Sequence, residues 1–214
     1  MSFRARLLVM ILLAVSLTAG LVTWIAVVRM RIAYEALDNQ RTAASVAQFR
    51  QEFQRRGEDV VRRVEGIAKA ESIMHLAITS NRPDADLSQY VDEAGSLAAI
   101  NSLDFLELID AEGTIISSAQ WPARFGYKAE WIISPGDWNN ERYFLKSEEL
   151  QDGIVLALAA VRAVYAGDRT LYIAGGCRLG KEFLSSLVLQ PGIRVLLYPN
   201  LTQQFSPQAF IADS

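Results

Sequence analysis

Two residue types that build many catalytic and metal sites are almost missing from this sequence. Its 214 residues include one cysteine, Cys177, and one histidine, His75. A single cysteine excludes an internal disulfide and a multi-cysteine zinc site. His75 lies in the apolar run Ile73–Ile78 with no neighbouring acid, which favours a packed structural residue over a phosphoacceptor or a catalytic triad. We therefore expect no catalytic residue, no metal site and no cofactor within this chain.

An excess of positive charge is also missing. The formal net charge is −3, so nothing attracts the chain as a whole to nucleic acid, and we expect no nucleic-acid partner. The glycine-rich run Gly175–Gly180 follows a predicted strand but lacks the Lys-Ser/Thr pair of a phosphate loop. Its predicted role is to let the chain bend away from a sheet.

Long hydrophobic runs are absent except for one at the N-terminus. Leu7–Val28 carries no charge, and its 22 residues span about 30 Å as a helix, the thickness of the hydrocarbon core. Residues 1–6 then form a short cytoplasmic tail, and the bulk of the chain lies outside the cytoplasm. A cleaved signal peptide is the alternative, but no clean cleavage site closes the run, and Val28 leads directly into Arg29. We predict a single uncleaved transmembrane helix in contact with the lipid bilayer.

The next segment, residues 29–74, lacks proline, and its apolar residues recur at three- and four-residue steps. This pattern predicts a long amphipathic helix that continues the membrane helix. Such a stalk suits packing against a second copy of the chain, so we expect a homodimer through this helix. An ordinary helix belonging to its own domain fits the pattern equally well.

After the stalk the hydrophobic period changes. A short helix over 86–100 precedes a hairpin, an aromatic irregular segment over 119–150, a second hairpin, and a final helix and strand. The predicted strands are 105–110, 114–118, 154–165, 170–178 and 193–198, and the last helix is 181–189. Antiparallel hairpins with helices on one side predict an α+β fold.

Three stretches in this order resemble a known family. They are the hairpin Leu106–Ser118 with its Asp-x-x-Gly turn, the segment Pro122–Gly126, and the strand and helix Tyr172–Leu184. The sequence resembles the N-terminal sensor portion of a bacterial membrane-bound sensor histidine kinase with a Cache-type, extracytoplasmic PAS-like domain. The resemblance implies a single-pass protein of the bacterial inner membrane, with a sensor domain over 75–190, that serves two-component signal transduction.

The sequence also departs from that family. A second membrane helix, a HAMP relay, a histidine phosphorelay helix and an ATP-binding core are all missing, so ATP and Mg²⁺ are implied only for a missing kinase core. Residues 191–214 read as the start of a second, incomplete unit. We expect a receptor fragment, a truncated product or a sensor without output. Two alternatives stay open: an anchored or secreted solute-binding protein, and an anchored scaffold whose domain binds nothing.

The aromatic insert contains the best candidate ligand site. Small-molecule pockets are mostly apolar with a few fixed polar groups, and an arginine can hold a carboxylate while an aspartate holds an amine. The resemblance implies that a small-molecule ligand lies here against the sheet. A core filled by the same aromatics under a long loop is the open alternative. The candidate residues are Trp121, Arg124, Tyr127, Trp131, Asp137, Trp138, Arg142, Tyr143, Tyr172 and Arg178.

Overall fold

The computed structural model describes residues 3–80, 85–133, 138–187, 195–199 and 210–212. Within its first helix, the side chains of residues 3–15, 19, 33, 35–39 and 41 lie outside this description. The predicted turn over 81–84 and the candidate ligand residue Asp137 also lie outside the described residues. The chain divides into two units, residues 1–48 and 49–214. Four α-helices are described: α1 Phe3–Ala68, α2 Glu71–Ser80, α3 Glu93–Ile100 and α4 Lys181–Ser185.

Helix α1 continues without interruption through the predicted start of the stalk at residue 29. Charged pairs one turn apart support its second half, including Arg55–Glu52 at 2.7 Å and Arg62–Asp59 at 2.9 Å. The helix ends at Ala68, before the predicted stalk end at residue 74, because a turn at 69–70 separates it from α2.

Among the described residues, no helix is both long and apolar enough to cross a bilayer. The predicted membrane helix, residues 7–28, lies within α1, and its residues 7–15 and 19 are among those whose side chains fall outside the description.

The second unit contains a five-stranded antiparallel sheet in the order β2-β1-β5-β4-β3. Its hairpins β1–β2 and β4–β5 confirm the two predicted hairpins, and Gly113 adopts the predicted positive φ, at 76°. The predicted α+β class, with an antiparallel sheet and flanking helices, is also confirmed. The strands are β1 Phe105–Ile109, β2 Ile115–Ser118, β3 Phe144–Leu150, β4 Gly153–Ala166 and β5 Arg169–Arg178.

Strand β3 lies in the segment that the sequence predicted to be irregular, so that part of the prediction is wrong. The strand pairs with β4 along its whole length, from Phe144 opposite Ala159 to Leu150 opposite Gly153. Its composition explains the error, because Lys146 and Glu148 occupy the inward-facing positions where an apolar residue would normally mark a strand. Charged residues on the buried side of an edge strand require nearby groups that pair with them.

The sheet has two faces with different coverings. On the helix face, Val60 and Val64 of α1 belong to one buried core with Leu106 and Leu158 of the sheet. On the opposite face, Val161 and Ala174 pack against Ala129 and Ile132. We call this second side the cover face, and residues 119–133 and 138–143 the cover segment.

The last described residues form a two-stranded ribbon, β6 Leu196–Leu197 and β7 Ile211–Ala212. Of the predicted strand over 193–198, the described residues 195–198 contain a strand only at Leu196–Leu197, and residues 191–194 lie outside the described set. Leu197 and Ile211 pack against the main core of the second unit. The proposed domain boundaries, including a separate unit over 191–214, stay a prediction.

Gly176 generates the first testable prediction. A Cβ added there would lie 2.1 Å from the backbone oxygen of Leu158, which cannot move without disturbing β4. We expect Gly176→Ala to lower the free energy of unfolding by about 2–3 kcal/mol in urea denaturation. Gly66→Ala is the control, because nothing lies within 4 Å of its added Cβ, and helix propensity should raise stability by about 0.5–1 kcal/mol. Equal effects at both sites would contradict the close packing at Gly176.

Candidate functional site

Small residues at the centre of the cover face leave space above the sheet. The strand register places Phe105, Gly176, Ala159 and Phe144 side by side across four strands. The Phe105 ring lies over Gly176, since a Cβ on that glycine would be 2.7 Å from the ring. We call Gly176 and Ala159 the alanine-glycine floor. The space above this floor is available to large side chains from the strands on either side.

Three aromatic rings form one wall of this space. Trp131 contacts Trp138 at a centroid distance of 5.9 Å and Phe144 at 6.3 Å, and Trp138 lies 5.9 Å from Phe144. The indole nitrogen of Trp138 donates to the backbone oxygen of Ile132 at 2.8 Å, which fixes the ring against the cover segment. The wall is thus built jointly by the cover segment and by the edge strand β3.

Four polar side chains meet on the same face, and we call them the polar group: Glu107, Gln120, Lys146 and Glu148. Gln120 Nε2 donates to Glu107 Oε1 at 3.1 Å and to Glu148 Oε1 at 3.2 Å. Its Oε1 accepts from the backbone N–H of Leu106 at 3.3 Å, so both ends of the amide are used. One glutamine from the cover segment therefore joins β1 to β3, strands that β5 and β4 separate.

Lys146 brings a cation into the polar group. Its Nζ pairs with Glu148 and lies 4.4 Å from the centre of the Trp131 ring and 5.7 Å from the centre of the Phe105 ring. Such an arrangement of an ammonium, a carboxylate and an aromatic face is the chemistry by which proteins recognise organic cations. The inward position of Lys146 on β3 is explained by these contacts.

The polar group contains two carboxyl groups and one ammonium. Glu107 and Glu148 are 4% and 3% exposed, and the ammonium of Lys146 is the cation that pairs within the group. Burial raises the pKa of Glu107; the Lys146 ammonium opposes the shift, the Glu148 carboxylate adds to it and the Arg124 guanidinium opposes it. The net direction is upward, so Glu107 takes up a proton more readily than a free glutamate.

A second, more exposed cluster lies at the rim of the cover face. Arg124 pairs with Glu149, and its guanidinium carbon lies 5.8 Å from the centre of the Trp121 ring. The indole nitrogen of Trp121 donates to the backbone oxygen of Glu149 at 2.8 Å. These contacts tie the beginning of the cover segment to the outer strand.

The predicted site residues thus fall into separate groups. Trp131, Trp138 and Tyr172 share the cover-face cluster, while Trp121 and Arg124 lie at the rim. The others lie elsewhere: Tyr127 and Arg142 are exposed, Tyr143 packs against Phe53 and Gly57 on the helix side, and Arg178 pairs with Asp104 and Asp152.

The polar group was missed by sequence reasoning. Its one clear signal was Glu107, a charged residue inside the apolar strand Phe105–Ile109 at a position that must face a covering layer. Lys146 and Glu148 gave no signal because their strand was not predicted. Gln120 gave none either, since its role depends on strands that are distant in sequence.

An open cavity of about 340 Å³ borders the polar group at Gln120. Arg178 lies on its wall with Nη1 2.6 Å from Asp152 Oδ2 and Nε 3.3 Å from Asp104 Oδ1. Among the residues that the structure describes, no three His, Cys, Asp or Glu side chains are placed to hold a metal ion. The remaining lining residues are Ala119, Leu150 and Gln151.

A larger cleft of about 580 Å³ lies beside α1 and is lined by several arginines. These arginines already have carboxylate partners, although some share one: Arg63 pairs with Asp59 at 2.7 Å and donates to the backbone oxygen of Ser102 at 2.7 Å. Arg62 pairs with Asp59 as well. The cleft has the character of a solvated charged surface, whereas the polar group is enclosed.

Comparison with known proteins shows the fold. No family model and no curated protein matches the sequence. The sensor domain of the V. cholerae histidine kinase DctB matches with a TM-score of 0.55 at 15% identity, over 70% of this chain and 60% of that one. The chain thus spans 60% of the length of that domain. It has the Cache or PAS-like fold of extracytoplasmic sensor domains, and the predicted resemblance is confirmed at that level.

Two further sensor domains match with lower scores. The E. coli DcuS sensor domain has a TM-score of 0.43 at 14% identity, over 60% of this chain and 92% of that one. The sensory domain of the Campylobacter jejuni chemoreceptor Tlp3 with isoleucine bound has a TM-score of 0.48 at 11% identity, over 77% of this chain and 68% of that one.

The raised pKa of Glu107 generates a prediction with a definite sign. A carboxyl whose pKa is higher in the folded state binds more protons there, so stability falls as pH rises from the ordinary glutamate pKa of 4.5 through the raised pKa. We expect the stability of Glu107→Gln relative to the parent chain to increase over this window. The slope for one proton cannot exceed about 1.4 kcal/mol per pH unit.

The measurement is urea denaturation of the parent chain and of the Glu107→Gln variant at several pH values above 4.5. Glu58→Gln, on the exposed side of α1, is the control. The difference curve for Glu107→Gln should rise more steeply than the control curve. A relative stability of Glu107→Gln that falls with rising pH would contradict the inferred direction.

Proposed function

We propose that this chain is the anchor, stalk and sensor portion of a membrane receptor of the sensor histidine kinase type, and that it binds a small ligand on the cover face. The observation that carries the proposal is the polar group, enclosed between the alanine-glycine floor and the rings of Trp131 and Phe105. A few fixed polar groups in an otherwise apolar site are typical of small-molecule pockets.

The charges of the polar group favour a ligand that carries an amine. Glu107 and Glu148 are two buried carboxylates held by one neutral amide and one ammonium. A ligand ammonium can take the place of the Lys146 ammonium beside Glu148, and the face of Trp131 offers a second attraction for a cation. Lys146 then occupies, in the absence of ligand, part of the position that the ligand's cation takes.

The remaining parts of the proposal follow from the sequence. Residues 7–28 span the inner membrane once, and the second unit lies outside the cytoplasm. In a homodimer, α1 carries the signal from the second unit to the membrane-spanning residues. A kinase core in the same receptor would bring ATP and Mg²⁺.

Ligand binding is tested by thermal-shift screening of the full chain in mild detergent against amines, amino acids and dicarboxylates. A ligand present at about 100 times its dissociation constant should raise Tm by roughly 5–10 °C. We expect the hits to carry an amine and Glu148→Gln to weaken them at least about tenfold, because a charged hydrogen bond is lost.

Glu149→Gln is the matched control, since the neighbouring carboxylate pairs with Arg124 at the rim. It should leave the affinity within about twofold, since it alters an exposed pair. Dicarboxylates that bind while amines do not would overturn the ligand class. A complete absence of hits, or undiminished binding by Glu148→Gln, would overturn the site.

Membrane anchoring is tested by fractionation of cells that express the full chain. We expect the chain to sediment with membranes and to resist alkaline extraction. Val22→Asp, a charge within the predicted span, should release it, because an aspartate there costs up to about 3 kcal/mol. Val46→Asp is the control and should remain bound.

Recovery of the unaltered chain in the soluble fraction would contradict the anchor. Resistance of the second unit to external protease in spheroplasts would contradict its orientation.

A further inference from the structure

One buried guanidinium connects the cover segment to helix α1. Arg162 lies on β4 and is 7% exposed. Its Nη2 and Nε lie 2.9 Å and 3.1 Å from Glu65 Oε1 on α1. Glu65 follows Val64, which is buried in the helix-face core, so the ion pair is attached to a fixed part of the helix.

The other side of the same guanidinium holds the end of the cover segment. Arg162 Nη1 donates to the backbone oxygens of Trp138 at 3.1 Å and Glu141 at 3.0 Å, and to that of Val161 at 2.7 Å. Irregular backbone needs partners for its carbonyl groups, and here one side chain provides them. The Asn139 side chain adds a second attachment to β4 through the backbone N–H of Ala163 at 2.9 Å.

The contacts of Trp138 make this connection relevant to the cover face. Its ring packs on Trp131, the residue that receives the Lys146 ammonium, while its backbone oxygen is bound to Arg162. A ligand that displaces Lys146 must repack Trp131 and therefore Trp138. A shift of the Trp138 carbonyl changes the hydrogen bonding of a guanidinium that is also fixed to Glu65.

We propose that Arg162 is a positioning residue that couples the cover segment to helix α1, so that the state of the cover face is transmitted to the helix through the Arg162–Glu65 pair. This proposal rests on the proposed function only in taking the cover face as the ligand site. Arginine suits the role because its planar fork of five donors can hold a carboxylate and several carbonyls at once, which a lysine cannot. Coupling through such a network acts in both directions.

The test is hydrogen exchange with mass spectrometry on the full chain without ligand. Glu65→Ala removes the partner of Arg162 on α1, and no contact described for Glu65 reaches the cover segment directly. We expect amide exchange in residues 138–143 to accelerate by about tenfold, since a charged hydrogen-bond network loses one anchor. Exchange in β1 and β5 should not change. Arg162→Lys should give the same local pattern.

Glu58→Ala is the matched control, because Glu58 is an exposed carboxylate on the same helix that bonds to Gln54. The reverse direction uses Trp138→Phe, which should accelerate exchange in residues 62–68 of α1, with Trp121→Phe at the rim as its control. Equal exchange of residues 138–143 in Glu65→Ala and Glu58→Ala would overturn the coupling, as would an unchanged α1 in Trp138→Phe. Because no ligand is used, a failed ligand screen and a failed coupling test are distinguishable outcomes.

Discussion

The arrangement of the second unit depends on the close approach of β4, β5 and the Phe105 ring at Gly176. A side chain at this position would meet the Leu158 carbonyl at 2.1 Å and the ring at 2.7 Å, so only glycine allows the three to meet. The neighbouring alanines extend the same shallow floor. Large and charged side chains from β1 and β3 can therefore turn inward over it, and this is why the polar group exists on the cover face.

Two polar connections then give this face its internal order. Gln120 joins a carboxyl group of β1 to one of β3, two strands that β5 and β4 separate. Arg162 joins the cover segment to α1. Gln120 and the Arg162 guanidinium are buried, while the Glu65 carboxylate is 41% exposed, and ion pairs of either kind generally add little stability. Their value lies in fixing the positions of segments that would otherwise pack loosely. The proposed receptor function requires this property, since a local change must reach a distant element.

The sequence predicted the α+β class and both hairpins, because alternating apolar residues and the turn glycine Gly113 are local signals. Of the ten residues that it placed in one candidate site, Trp131, Trp138 and Tyr172 do share a cluster. It missed β3 and the polar group, because Lys146 and Glu148 are inward-facing charges whose partners come from other strands. Tyr143 shows the opposite error: an aromatic residue between ligand-face candidates packs on the helix side, against Gly57. Strand register, which no local pattern reveals, decides each of these cases.

The central claim is that the cover face receives a small cationic ligand in place of the Lys146 ammonium. Lysine labelling of the full chain with acetic anhydride, read by mass spectrometry, tests it most directly. With a saturating amine that raises Tm, Lys146 should become several-fold more reactive as it leaves Trp131 and Glu148, while the exposed Lys128 should not change. Unchanged labelling of Lys146 at saturation would contradict the account.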